Sequence, residues 1–175
     1  MALTAVGCGS GPTALPARIG NVAGRGLQPP WWTALPPVLA SADSPTEEQP
    51  LQIPADALFD TGSAEVRRAD VARLEAFAGE LADRVADSNG VWWLVGGTDS
   101  TGDNNDALGR ARAESIARII TATASIEPDR LHTGSWGEDC PAVAEADSPD
   151  LAQARAANRR VVIVPPGVEP QCPIH

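Results

Sequence analysis

The 175-residue chain predicts an α/β fold: a two-layer sandwich of order βαβαβ(α)β, with helices packed on a mixed sheet and a disordered Pro/Gly-rich tail in front of it. Three observations predict it. Val91 to Val95 is a solid apolar run closed by Gly96-Gly97, the pattern of a central strand covered on both faces. Val71, Leu74, Phe77, Leu81 and Val85 recur at helical spacing, and so do Leu108, Ile116, Ile119 and Ile120. Short strand-like segments alternate with these two stripes to the end of the chain.

Taken in order, Ala5-Val6-Gly7-Cys8-Gly9-Ser10 is similar to the end of a bacterial lipoprotein signal, where small residues precede the cysteine that becomes acylated. The apolar stretch before it, Met1 to Val6, is too short for a signal core. Residues 1–8 are therefore read as the remnant of such a signal, its true start lying upstream, with an ordinary cysteine as the alternative. Residues 9–48 read as a tether, because Pro29-Pro30 and Pro36-Pro37 discourage helix and sheet alike. Between the proline pairs, Trp31-Trp32 either docks on the domain or enters a membrane interface, and docking is the simpler reading.

The domain is assigned to residues 49–166, with 167–175 as a C-terminal tail. A strand at Leu51 to Ile53 opens it, and a helix spans about Ala69 to Val85. Asn89-Gly90 turns the chain into the strand Val91 to Gly96. The second helix covers about Asn105 to Ala122, with Arg110, Glu114 and Arg118 as a solvated ladder on its outer face. A strand at Arg130 to Gly134, a long loop to Pro149, a short helix at Asp150 to Ala157 and a strand at Arg160 to Val164 complete the pattern, and Pro165-Pro166 stops it.

Charge limits the function. A formal net charge of −10, with every cation an arginine, leaves no basic stripe for nucleic acid and no electrostatic attraction to anionic lipid. No segment is long enough to span a membrane. Of three cysteines, acylation of Cys8 would leave Cys140 and Cys172 to form a disulfide in an oxidising compartment; three reduced thiols are the alternative. The acidic loop Asp99, Asp103, Asn104, Asn105, Asp106 fails the alternate spacing of a calcium loop and reads as a solvated turn with helix-capping residues. His132 and His175 are too isolated to hold zinc, and no cofactor is implied. No nucleophile elbow or cysteine–histidine pairing marks an enzyme.

One arginine is out of place. Arg112 falls between Leu108 and Ile116 on the apolar stripe, where an unpaired guanidinium is costly. Asp99, in the loop feeding that helix, is its candidate partner. An acid and a base at the mouth of a strand-loop-helix unit form a small receptor for a zwitterion.

Five ordered motifs carry a family resemblance over about residues 50–165: Phe59-Asp60, Gly97-Thr98-Asp99-x-x-Gly102, Asn105-x-x-Leu108-Gly109-x-x-Arg112-Ala113, Gly134-x-x-Gly137-Glu138 and Asn158-Arg159-Arg160-Val161. The chain resembles the OmpA-like, peptidoglycan-associated domains. The resemblance implies non-covalent binding of peptidoglycan through the diaminopimelate of its stem peptide. Asp99 would meet the ligand's ammonium and Arg112 its carboxylate, with Asn105, Arg159 and Thr98 near the same pocket and Asp60 and Thr61 lining it. It also implies a cell-envelope lipoprotein, held to the membrane through lipid on Cys8, or a secreted relative. Two alternatives stand beside it: an envelope scaffold in which Asp99 and Arg112 merely close a loop, and a wall hydrolase. One of Arg159 and Arg160 is expected to be a surface residue flanking the last strand.

Overall fold

Pairing, more than local propensity, sets where the strands begin and end. The computed structural model describes residues 31–34, 49–170 and 172; the expectations for Cys8, residues 1–8 and most of the tether lie outside them. The elements are β1 (Thr33–Ala34), β2 (Leu51–Pro54), α1 (Val71–Asp87), β3 (Trp92–Gly97), α2 (Asn105–Ala124), β4 (Leu131–Gly137), α3 (Leu151–Asn158) and β5 (Arg160–Val164). The sheet order is β1-β2-β5-β3-β4. Only β3 and β4 are parallel, joined by α2 as a crossover helix, and every other pair is antiparallel. The mixed α/β architecture is as expected.

Period-two alternation divides the sheet into two faces. Leu51, Ile53, Trp92, Leu94, Val161 and Ile163 face the helices and pack in one core with Leu74, Phe77, Leu81 and Val85 of α1 and Ala113, Ile116 and Ile120 of α2. The apolar stripe of α2 is centred slightly off its predicted line, since Leu108 and Ile119 are only half-buried. Arg110, Glu114 and Arg118 are exposed, as their spacing predicts. Helix α2 lies almost in contact with β3 because two glycines cross: a Cβ on Gly96 would sit 2.0 Å from the carbonyl oxygen of Gly109. The C-terminus of α1 is gathered by Arg130, which donates to the carbonyls of Gly90 (2.8 Å), Val85 (2.9 Å) and Ser88 (2.9 Å).

The other face is covered in part by the segment after β4 and by residues near the C-terminus. Cys140 and Cys172 form the expected disulfide, and Trp136 Nε1 donates to the Pro170 carbonyl at 2.9 Å, so the segment read as a C-terminal tail is fastened over the sheet. Beneath it lies Arg160, fully buried, donating to the carbonyls of Cys140 (2.9 Å) and Asn158 (3.3 Å) with its guanidinium 5.5 Å from the Trp136 ring. This corrects the expectation that one arginine of the pair would be a surface residue, because alternation along β5 turns Arg160 inward. Burial lowers its pKa to about 10, far enough above neutrality to leave it charged.

A second correction concerns the tether. Thr33 and Ala34 pair with Gln52 and Leu51 as an edge strand. Just before them Trp31 and Trp32 dock on Phe77 at centroid distances of 5.8 and 5.7 Å, flanked by Arg73 and Arg84 at 4.8 and 5.8 Å. The tryptophan pair therefore sits on the domain.

Candidate functional site

Thr98, Asp99, Arg112 and Arg159 collect at one end of the sheet, where β3 ends, β5 begins and the chain leaves β2. Thr98 and Asp99 follow β3 directly, their backbone fixed by the Thr98 N–H donating to the Gly137 carbonyl at 2.8 Å. Arg112 lies two turns into α2, and the Gly96–Gly109 crossing sets how close it comes to the sheet end. Arg159 precedes β5. Asn104 at the N-cap of α2 makes no side-chain capping bond, contrary to the expected role of that loop.

Arg112 is 2% exposed, as buried as the isoleucines beside it. Its Nε donates to the Ser63 carbonyl at 2.9 Å and its guanidinium lies 5.5 Å from the Phe59 ring. Nη1 is buried with no hydrogen-bond partner. The expected Asp99–Arg112 ion pair does not form: among the described residues no carboxylate oxygen lies within 4.0 Å of Arg112. Burial lowers the Arg112 pKa, opposed by the fields of Asp56 and Asp99 and reinforced by that of Arg159. An arginine remains charged regardless, so this is a buried cation with a donor to spare.

Asp99, 6% exposed, is held by other partners. Arg159 Nη1 donates to its Oδ2 at 2.5 Å, while the Thr101 hydroxyl and the Thr101 N–H (3.1 Å) donate to its Oδ1. Burial pushes the Asp99 carboxyl up, but the bonds from Thr101 and Arg159 outweigh it and hold the pKa below the usual value. Asp56, which sequence reasoning did not single out, takes the rest of the Arg159 fork, from Nε at 2.9 Å and Nη2 at 2.6 Å. That two-pronged bond lowers the Asp56 pKa and, with the Asp99 bond, raises that of Arg159 against the cost of burial. The four charges sum to zero, yet Arg159 is fully engaged and Arg112 is not.

The remaining candidates divide. Thr98 is buried with its hydroxyl oxygen unpartnered, close behind Asp99. Asn105 is committed, donating to Glu138 Oε2 at 2.7 Å and the Gly102 carbonyl at 3.2 Å. Asp60 lies apart: its side chain is 76% exposed and faces Arg67 at 3.6 Å. With Ser63, Glu65, Val66, Arg67 and Arg68 it lines a shallow depression beside the cluster. Thr61 is exposed. Among the described residues no three or more histidine, cysteine, aspartate or glutamate side chains gather in a group that could hold a metal ion.

What the fold and cluster define is a small mixed α/β domain with two acids and two arginines, neutral in sum, gathered at the carboxyl end of a parallel strand pair. The OmpA family model matches residues 58–159, and the chain belongs to that family. Among solved structures, a putative MotB-like protein from Desulfovibrio vulgaris is 29% identical with a TM-score of 0.55, covering 66% of this chain and 71% of that one. The cell wall anchor of the T6SS from Pseudomonas aeruginosa is 26% identical with a TM-score of 0.54, covering 67% and 80%. The periplasmic domain of Helicobacter pylori MotB, at 21% identity and a TM-score of 0.55 over 66% and 74%, shares the fold. No curated protein matches significantly.

Proposed function

We propose that this domain binds peptidoglycan non-covalently through the diaminopimelate of the stem peptide, holding the cell envelope to the wall. The observation that carries the reading is the buried Arg112, with Nη1 unpartnered and no carboxylate at hand. A ligand carboxylate supplies the missing anion, and the planar guanidinium suits it. The ligand's ammonium meets Asp99, which stays ionised because its pKa is depressed. Membership of the OmpA family and likeness to a structure described as a cell wall anchor support the same reading.

Charge-assisted bonds of about 1.5–3 kcal/mol each predict a single-site affinity of roughly micromolar to millimolar. Weak contacts suffice beside a polymeric wall, where many sites are presented at high local concentration. In this reading the protein resides in the envelope, anchored through lipid on Cys8, and does not cleave its ligand. The test is co-sedimentation of the full chain with diaminopimelate-type peptidoglycan, alongside folded Asp99→Ala and Arg112→Ala variants. Binding by the parent and loss in both variants is expected, with no soluble muropeptides released. A folded parent that stays in the supernatant refutes it.

The engagement of Asp99 by Arg159 favours one other reading, an envelope scaffold in which these charges only tie loops together. Parent and variants would then all fail to sediment.

A further inference from the structure

We propose that Glu145, in the loop between β4 and α3, is a positioning residue for the pocket, holding Asp99 and Arg159 together from outside it. The proposal rests on the peptidoglycan-binding reading above. Asp99 and Arg159 are 60 residues apart, on separate loops, and their own contact is a single 2.5 Å bond. The pairing of β3 with β5 ends at Gly97 and Arg160, so the residues just beyond it need a further hold while Asp99 is also offered to a ligand.

Glu145 does so through the chain neighbours of both residues. One of its oxygens accepts from the Ser100 N–H at 3.1 Å and from Asn158 Nδ2 at 3.0 Å. The other accepts from the Ser100 hydroxyl at 2.6 Å and from Arg155 Nε at 3.1 Å. Ser100 directly follows Asp99, and Asn158 directly precedes Arg159. Asn158 is fully buried and is itself clamped to the loop, its amide exchanging two 2.9 Å bonds with the backbone of Val143. The Glu145 side chain is 13% exposed. Burial pushes its carboxyl up, but the bonds from Ser100, Asn158 and Arg155 bring the pKa down to about 2, so it is an acceptor throughout the neutral range. The same loop carries Glu138, which holds Asn105 at the start of α2. The segment read from sequence as a plain connection is therefore a brace reaching three sides of the pocket.

Removing the carboxylate leaves the Ser100 N–H and the Asn158 amide without their shared acceptor and lets the two loops separate. Asp99 then loses part of the Arg159 bond that helps keep it acidic. The groups bearing on Asp99 are Arg159 and Thr101 in contact, with Asp56 and Arg112 acting on the same cluster. None of these is altered by a change at position 145.

The test uses the full chain and two readouts: co-sedimentation with diaminopimelate-type peptidoglycan, and titration of the Asp99 carboxyl carbon by NMR. Glu145→Ala, folded by circular dichroism, is expected to bind about tenfold more weakly, the scale of coupling within one hydrogen-bond network. Its Asp99 midpoint rises towards the ordinary carboxylate value. Glu145→Gln retains one acceptor oxygen and falls between parent and alanine in both readouts. Arg118→Met, at an exposed position on the outer face of α2 and outside this network, changes neither readout. If Glu145→Ala does not fold, Glu145→Gln decides by the same two measures. Parent affinity together with a parent-like Asp99 titration in the folded variant overturns the proposal and leaves peptidoglycan binding intact. A parent that does not bind refutes the wall-binding reading instead, and the Asp99 midpoint alone then decides whether Glu145 positions the pair.

Discussion

Replacing glycine by alanine should have opposite signs on the two long helices. Gly109 of α2 faces Gly96 of β3, and a Cβ there would lie 2.5 Å from Ser135 Oγ and 2.8 Å from the Gly96 carbonyl oxygen. The hydroxyl can turn away only by giving up its bonds with the Gly96 carbonyl and the Gly137 N–H, and the carbonyl belongs to a paired strand, so the helix must move. Overpacking of this kind costs about 1–3 kcal/mol, and alanine's better helix propensity returns less than about 1 kcal/mol. Gly79 of α1 is exposed, and its added Cβ meets nothing within 4 Å. There only propensity operates, a gain of about 0.5–1 kcal/mol. Thermal unfolding followed by circular dichroism reads both, at roughly 3–6 °C per kcal/mol for a domain of this size. Gly109→Ala is expected to melt several degrees below the parent and Gly79→Ala a few degrees above it. Because Gly109 lies one turn before Arg112, the first variant should also bind peptidoglycan less well at temperatures where it is fully folded. A Gly109→Ala protein as stable as Gly79→Ala would refute the account of how α2 is seated.

Three further outcomes follow from features outside the helix crossing. Arg130→Met keeps the aliphatic stem but removes the donors to three carbonyls, and should lower unfolding free energy by about 1–3 kcal/mol in urea titrations; lysine, a single point charge, recovers less than half. Glu145 has a folded pKa of about 2 against an ordinary 4.5. Its contribution is complete above pH 4.5 and drains as pH falls towards 2, so Glu145→Gln should flatten the acid limb of a stability–pH curve in that window; an unchanged limb contradicts the bonding described. Reducing the disulfide, whose cysteines are 32 residues apart, should lower stability by at most about 3–4 kcal/mol in the chain-entropy description and shift the emission of Trp136 to the red, measured as the difference from a Trp136→Phe protein.

The parts of the fold legible in the sequence are those with a strong internal period. The strand within Val91 to Val95 and the stripe through Leu74, Phe77, Leu81 and Val85 lie where their spacing puts them; Trp92 and Leu94 join that stripe in the core, while Val91 and Trp93 are only half-buried. The extension of β4 past Gly134 was hidden, because Ser135, Trp136 and Gly137 are strand only by pairing with Gly96 and Gly97 across a register shift. So was β1, two residues in a proline-rich setting that owe their conformation wholly to β2. The site divides in the same way. Arg112 was visible as a charge on an apolar stripe and Asp99 as the acid in the loop feeding that helix, and both are buried. Their partners were not, because Asp99 meets Arg159 only once β5 lies beside β3. Asp56 carries no local signal at all, being one acid in a short turn after Pro54.

The topology also dictates a timetable. Leu51 pairs with Ile163, and the fork of Arg159 closes on Asp56 across a sequence separation of 103, whereas β3, α2 and β4 are successive neighbours. A chain emerging from its N-terminus can assemble the parallel pair and its crossover helix early, from short-range contacts. Strand β2 and the acid beyond it must wait with an unsatisfied edge until almost the last residues of the domain arrive. Arg159 and β5 act as the keystone of assembly. A nascent chain halted before residue 159 lacks the Arg159 bond to Asp99, which then keeps only its bonds from Thr101, so the charge cluster closes only once β5 has been made.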